Sequence, residues 1–237
     1  MADLHGEERA VYVRRMFGRI AGRYDLLNRL MTAGQDRGWR REVVRRARPL
    51  PGERVLDLGC GTGDLAWETL RQSPQSRLVG ADFTHAMLAL ARRRQRPGAA
   101  AWVLADALHL PFAGGTFDAV VSGFLLRNVG DLDAALREQI RLLAPAVGRL
   151  VCLDTTPPGP GPLRPFLNFH LTRVIPLLGR WVARDPEAYN YLPGSTHRFL
   201  TAEALAERLQ RFGLTGVGFV RRMFGTVAIH WGRRSMR

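Results

Sequence analysis

The chain predicts an α/β fold: a seven-stranded mixed sheet with helices on both faces, N-terminal helices, and a lid-like insertion before the C-terminal helix. Three observations carry this. A short apolar run, Val55, Leu56 and Leu58, is broken by glycines at every second position, Gly59, Gly61 and Gly63, and then by a helical stripe of Leu65, Ala66, Thr69 and Leu70. That order, strand then glycine turn then helix, is the first crossover of a doubly wound sheet. Apolar strands and helical stripes then alternate through the middle of the chain, which is the pattern of a parallel sheet. Two strand-like runs close the sequence and add a strand pair.

The elements follow in order. Residues 7–21 give a rough helical stripe of Val11, Met16 and Ile20. Arg23–Thr32 and Asp36–Val44 read as two further short helices, with Tyr24 and Trp39 as packing residues of this layer or, for Tyr24, a residue over a site. Strands are expected over Val55–Leu58, Leu78–Ala81, Ala101–Ala105, Phe117–Ser122 and Arg149–Asp154. Helices are expected over Asp64–Arg71, His85–Arg94 with Thr84 as N-cap, and Leu132–Leu143. Thr155–Pro162 is a proline-glycine linker, and it opens an insertion broken by Pro176 and Pro186. Thr201–Phe212 is a helix capped by Thr201, followed by strands Gly216–Val220 and Thr226–Trp231. One domain of 237 residues results, with a helical cap over 1–48, a binding core over 49–156, the insertion over 157–199 and the end of the sheet over 200–237.

Composition narrows the class. The chain is 46% apolar and 24% charged, as in soluble globular proteins. Its net charge is +14 and every basic side chain behind it is arginine. Such an excess attracts nucleic acid or an anionic membrane face, or it reflects the arginine, alanine, glycine and proline bias of a GC-rich genome. The two cysteines, Cys60 and Cys152, have no metal-ligand spacing, so a metal site is not expected and a reducing compartment is. The N-terminus is polar and acidic, and no uncharged apolar stretch is long enough to span a bilayer. A cytoplasmic protein is expected, peripheral at the inner face of the cytoplasmic membrane.

The glycine turn carries the chemistry. Its spacing is G-x-G-x-G behind Asp57, which differs from the dinucleotide G-x-G-x-x-G. Asp82, about twenty residues on, ends the second strand, where a carboxylate can take both hydroxyls of a ribose. Asp106, beside Ala107, ends the third and can accept from an adenine amino group. Asp57-Leu-Gly-Cys-Gly-Thr-Gly63 resembles motif I of the S-adenosylmethionine-dependent methyltransferases, which are Rossmann-like and whose cofactor has no pyrophosphate.

Three further segments point to a narrower group. They are Tyr24-Asp-Leu-Leu-Asn28, with Leu30-Met31 and Trp39-Arg40; Phe124-Leu-Leu-Arg-Asn-Val129, with Asp131, Asp133 and Ala135–Glu138; and Tyr189–Ser195, with Phe199. Together they resemble the ubiquinone/menaquinone biosynthesis C-methyltransferase family over residues 8–233. The resemblance implies S-adenosyl-L-methionine as cofactor, contacted at Thr62, Asp82, Asp106 and Ala107, beside Asp57, Gly59, Gly61 and Gly63 of the turn. Two departures stand out. Gly123 occupies a place where the family often has serine, leaving one cofactor contact to the backbone or to none. The turn Pro145–Gly148 is one residue longer than usual.

The implied reaction is methylation of a ring carbon of a reduced, prenylated quinone, demethylmenaquinol before a ubiquinone precursor. The sulfonium carbon is already electrophilic, so the site must raise electron density on the ring by deprotonating its hydroxyl. Arg127 is expected to supply charge for the phenolate, or else to form an ion pair with Asp131 or Asp133. Asn128 is expected to position the ring and Tyr24 to close over it. His170 and His197 are the candidate bases, against surface or core roles; water is the alternative base. The insertion sets Phe166, Phe169, Leu177 and Trp181 among Arg173, Arg180 and Arg184, which suits a membrane-interface helix, a groove for the isoprenoid tail, or a lid. The partners expected are the quinol, a membrane surface and a second copy of the chain in a homodimer. Nucleic acid is not expected, because no RNA-binding appendage and no amino-methylation motif follow the fourth strand. A non-catalytic cofactor-binding protein is the reading outside the enzymes.

Overall fold

A computed structural model describes residues 6–94, 100–158, 191 and 194–236. Three helices lead: α1 (Gly6–Ile20), α2 (Tyr24–Met31) and α3 (Asp36–Ala47). The alternating core follows as β1 (Arg54–Leu58), α4 (Asp64–Gln72), β2 (Arg77–Asp82), α5 (His85–Arg93), β3 (Ala100–Leu104), β4 (Ala119–Gly123), α6 (Leu132–Leu142) and β5 (Arg149–Thr155). Helix α7 (Ala202–Arg211) and strands β6 (Leu214–Arg222) and β7 (Val227–Arg234) end the chain.

The seven strands form one sheet in the order β3-β2-β1-β4-β5-β7-β6. The first five are parallel and β7 runs antiparallel to both of its neighbours. Strand order therefore reverses between β1 and β4, and a crevice opens outside their carboxyl ends, where such sheets bind ligands. These two strands lie in the interior of the sheet with both of their faces covered: Val55–Leu58 and Ala119–Ser122 are all buried.

The period of two divides the core. Val55, Val121 and Val151 face a layer made by Trp39, Val43 and Val44 of α3 and Leu65 of α4. Leu56, Leu58 and Val120 face Leu136 of α6 and Leu205 and Leu209 of α7. Trp39 is thus a packing residue, as its spacing implies. Helix α6 starts at Asp131, whose carboxylate accepts the Ala134 N–H at 3.0 Å, and α7 starts at Thr201, whose hydroxyl accepts the Ala204 N–H at 3.2 Å.

Four expectations need correction. The buried stripe of α1 is Val13, Met16 and Ile20, with Val11 only half-buried, because the helix begins at Gly6 and its inner face is set by its contact with Tyr191. Thr84 stands at the N-cap of α5 but its side chain makes no cap hydrogen bond; its backbone N–H is instead donated to Asp82. Phe117 precedes β4 and forms an isolated parallel bridge to Leu143. Strands β6 and β7 run longer than Gly216 and Gly218 suggest, since the ladder tolerates a register shift between Thr215 and Gly218. The insertion residues Phe166, Phe169, His170 and Trp181 lie outside the described residues.

Candidate active site

The crevice holds a cleft of about 740 Å³ counting its open mouth. Its floor is the turn after β1. Gly59 has φ +66° and Gly61 φ +54°, a region L side chains rarely adopt. A Cβ on Gly59 would also sit 2.8 Å from the Leu125 side chain. Glycine is needed there because the wall after β4 approaches it directly. The Gly61 N–H then reaches Asp82 Oδ2 at 2.9 Å, and Thr84 N–H reaches Oδ1 at 2.8 Å. Asp82 is thereby fixed at the rim by two backbone donors. Burial raises its pKa, and the two N–H groups work against that rise.

Across the cleft, Asp106, Ala107 and Leu108 make the next wall, with Asp106 Oδ1 accepting the Leu108 N–H at 2.9 Å. Gly59, Gly61, Asp82, Asp106 and Ala107 therefore meet in one place, as their strand-end positions imply. Gly63 and Thr62 do not line it. A Cβ on Gly63 would meet Trp102 at 2.9 Å, so Gly63 serves the packing beneath the turn. Thr62 is buried and donates to Asp25 Oδ1 at 2.6 Å. Asp25 is also paired with Arg94, which bonds Asp64 Oδ1 at 3.1 Å. This tie joins α2 to the glycine turn. The one sequence signal for Asp25 was its place beside Tyr24.

The remaining wall is apolar. Phe124, Leu125 and Val129 come from the segment after β4, and Ala10, Val13 and Phe17 from α1. Tyr24 lines the cleft and meets Phe17 edge-on, with ring centroids 5.7 Å apart. No sequence motif marked α1; only tertiary packing brings it over the site. Asn128 lines the cleft too, its Nδ2 donating to Phe124 O at 2.8 Å while its buried Oδ1 has no hydrogen-bond partner.

Arg127 departs from expectation. Its guanidinium bonds Asp154 Oδ1 at 2.5 Å, both side chains are nearly inaccessible, and it is not among the cleft-lining residues. Asp131 caps α6 and Asp133 pairs with Arg208 at 2.6 Å, so neither holds Arg127. The charge is spent on the end of β5, because desolvation at that depth demands a carboxylate in contact. His197 is exposed and lies outside the cleft, and His170 is not among the described residues. Ser122 is buried in β4, and Gly123 borders the cleft in its place. Both cysteines are buried; burial pushes the Cys152 thiol up to about 12 and raises that of Cys60.

The site fits a cationic nucleoside cofactor. Two carboxylates, Asp82 and Asp106, flank the glycine turn. Behind the turn stands Asp57, wholly buried, with neither oxygen in a hydrogen bond of normal geometry. Its pKa is raised to about 7: burial lifts it most, the Ala66 N–H and Arg40 oppose, and the Asp82 charge adds to the rise. Such a carboxylate favours positive charge nearby.

Fold and site together define an S-adenosylmethionine-dependent methyltransferase. The fold is shared with solved structures of low sequence identity: the [4+2]-cyclase SpnF (TM-score 0.69, 18% identity, 99% of this chain and 98% of that one) and a methyltransferase of Thermotoga maritima (TM-score 0.63, 18%, 94% and 99%). A family model, the ubiE/COQ5 methyltransferase family, matches residues 4–234, and the chain belongs to that family. It is 48% identical to the ubiquinone/menaquinone biosynthesis C-methyltransferase UbiE of Desulfotalea psychrophila, over 93% of this chain and 89% of that one. It is 44% identical to the demethylmenaquinone methyltransferase of Thermus thermophilus, over 92% and 100%.

Proposed function

We propose that this protein methylates a ring carbon of a prenylated quinol, demethylmenaquinol in menaquinone biosynthesis. The observation that carries the reading is the two-sided cleft. Its polar half (Gly59, Gly61, Asp82, Asp106) suits the cofactor, and its apolar half (Val13, Phe17, Tyr24, Phe124, Val129) suits a flat aromatic ring. The names of several relatives favour demethylmenaquinol. The relative at 48% identity bears a name covering both quinones, so a ubiquinone precursor is the second reading.

S-Adenosylmethionine supplies an electrophilic methyl group. The chain's part is to hold the ring in line with it, exclude water, and let the quinol hydroxyl lose its proton. Asp82 takes the ribose, Asp106 and Ala107 the adenine edge, and the backbone of Gly59 and Gly61 allows close approach. Asn128 Oδ1 accepts from the substrate hydroxyl or the cofactor ammonium, and Tyr24 closes over the ring. Methyl transfer to the ring carbon would leave the cofactor as its neutral thioether, and the ring proton would pass to solvent as aromaticity returns. Water receives the hydroxyl proton, since no histidine lines the cleft among the described residues. Arg127 acts as a positioning residue: its pair with Asp154 fixes the segment that bears Phe124 and Asn128. Because the tail of such a quinol resides in lipid, contact with a membrane surface belongs to this reading, although no described helix is long and apolar enough to cross a membrane.

The test is transfer of labelled methyl to demethylmenaquinol and to a methoxy-benzoquinol precursor of ubiquinone, under reducing conditions. Label on the naphthoquinol supports the first reading and label on the benzoquinol alone the second. Label on neither, with cofactor bound, defeats both.

A further inference from the structure

A second concavity, about 1130 Å³ counting its mouth, opens between α2, α3 and one side of α4. It is lined by Arg29, Arg37, Arg40, Arg41, Arg71 and Arg94 with only two carboxylates, Asp64 and Glu68. Three of these arginines are committed: Arg40 to Asp36, Arg71 to Glu68 and Arg94 to Asp25 and Asp64. Arg29, Arg37 and Arg41 are exposed and form no ion pair among the described residues; Arg41 acts on Glu68 only through a longer-range attraction.

Apolar side chains border this cleft. Leu26 and Leu30 are one turn apart on α2 and remain 53% and 44% exposed, and Leu26 is the i−3 neighbour of Arg29. Beyond Arg37 and Arg41 a shallower hollow is shared with Arg222, whose guanidinium bonds Glu42 at 2.7–3.0 Å. Two residues past Arg222, Phe224 is 72% exposed at the β6–β7 turn. That turn lies at the carboxyl edge of the sheet, because Val227 pairs with Thr155 at the end of β5. Helix α2 itself carries Tyr24 on the wall of the methyl-transfer cleft.

We infer that this edge docks on an anionic lipid bilayer, with Arg29, Arg37 and Arg41 taking phosphodiester headgroups and Leu26, Leu30 and Phe224 entering the acyl boundary. Charge complementarity selects a polyanion, and the exposed leucines and phenylalanine select lipid over nucleic acid, whose backbone offers nothing apolar to cover them. The inference rests on the quinol reading in one respect: docking here sets the mouth beside Tyr24 against the phase that holds the substrate.

The experiment is cosedimentation of the full chain with vesicles of equal phosphatidylglycerol and phosphatidylcholine, and with phosphatidylcholine alone. Each arginine near an anionic surface is worth about fivefold in partitioning, so Arg29→Gln/Arg37→Gln/Arg41→Gln together lower it about 100-fold. Leu26→Ser/Leu30→Ser lowers it at least tenfold and leaves the salt dependence as it was. Arg45→Gln/Arg48→Gln/Arg211→Gln, exposed arginines outside the cleft, change it less than threefold. Equal loss in both arginine triples, or binding to neutral vesicles as strong as to anionic ones, overturns the inference. So does a single-stranded RNA oligomer that binds more tightly than the vesicles and displaces them. Turnover of a short-tailed demethylmenaquinol without vesicles reads the reaction separately. Retained turnover with no vesicle binding defeats the docking alone; vesicle binding without turnover defeats the quinol reading alone.

Discussion

Arg127 shows how burial redirects a charge. In the sequence it stands where a cation could face a phenolate. In the fold it contacts Asp154, accepts an Arg9 hydrogen bond at its backbone oxygen, and lies under the Phe124 ring with its guanidinium carbon 5.1 Å from the centroid. Breaking a buried pair strands a charge and costs about 3–5 kcal/mol. Arg127→Ala is therefore expected to lower stability by that order and to lose turnover through misplaced Phe124 and Asn128. Arg127→Lys keeps the charge and recovers part of both. Chemical unfolding alongside steady-state kinetics checks this, and an Ala variant with native stability but no turnover would return Arg127 to direct contact with substrate.

Among the elements, α2 is short for an independent helix, eight residues, and is held by what it touches. Its inner residue Leu27 enters the cluster with Met16 and Ile20 of α1. Its first turn is tied to the glycine turn by Asp25, through Thr62 and Arg94. The same helix thus reports on the floor of the cleft and carries a part of its wall. Asp25→Asn weakens the tie without changing shape. The expected result is a 3- to 10-fold rise in the Kd for S-adenosylhomocysteine, about the worth of one ordinary hydrogen bond, measured by calorimetry, with little change in melting temperature. An unchanged Kd would show that α2 is ordered independently of the cofactor turn.

For the whole molecule, two buried groups give stability opposing pH slopes. Burial lifts Asp57 to about 7 in the folded state, so stability is full below the ordinary carboxylate value and declines as pH rises through about 7. His230 sits beneath α7, its Nε2 2.8 Å from the Ala202 carbonyl, and burial lowers its pKa. Its contribution is full above the ordinary histidine value and falls away as pH drops below it. Asp57→Asn removes the first slope. Its melting temperature relative to the parent is expected to climb from pH 5 to about pH 7 and to level off above, where both states of the parent are ionised, and a flat or falling difference from pH 5 to 7 would mean Asp57 is ionised throughout.

What the sequence determined by itself was whatever depends on short-range pattern. Alternation of period two and 3.6, glycines at every second position and an acid at or just past the ends of β2 and β3 suffice for the sheet and for the meeting of Gly59, Gly61, Asp82, Asp106 and Ala107 in one cleft. These residues sit at strand ends, and strand ends share one edge once the strands are parallel. Boundaries such as β3, which begins at Ala100, moved by a residue or two, because the last ladder bond depends on a neighbouring strand. The tertiary structure alone decided the rest. It brought Val13 and Phe17 over the cleft from a helix with no motif, chose Asp154 for Arg127 over two carboxylates nearer in the chain, and set Thr62 beneath the cleft on Asp25. Those choices depend on which buried charges need partners and which surfaces meet between residues 27 or more apart in the chain, and local spacing carries no record of either.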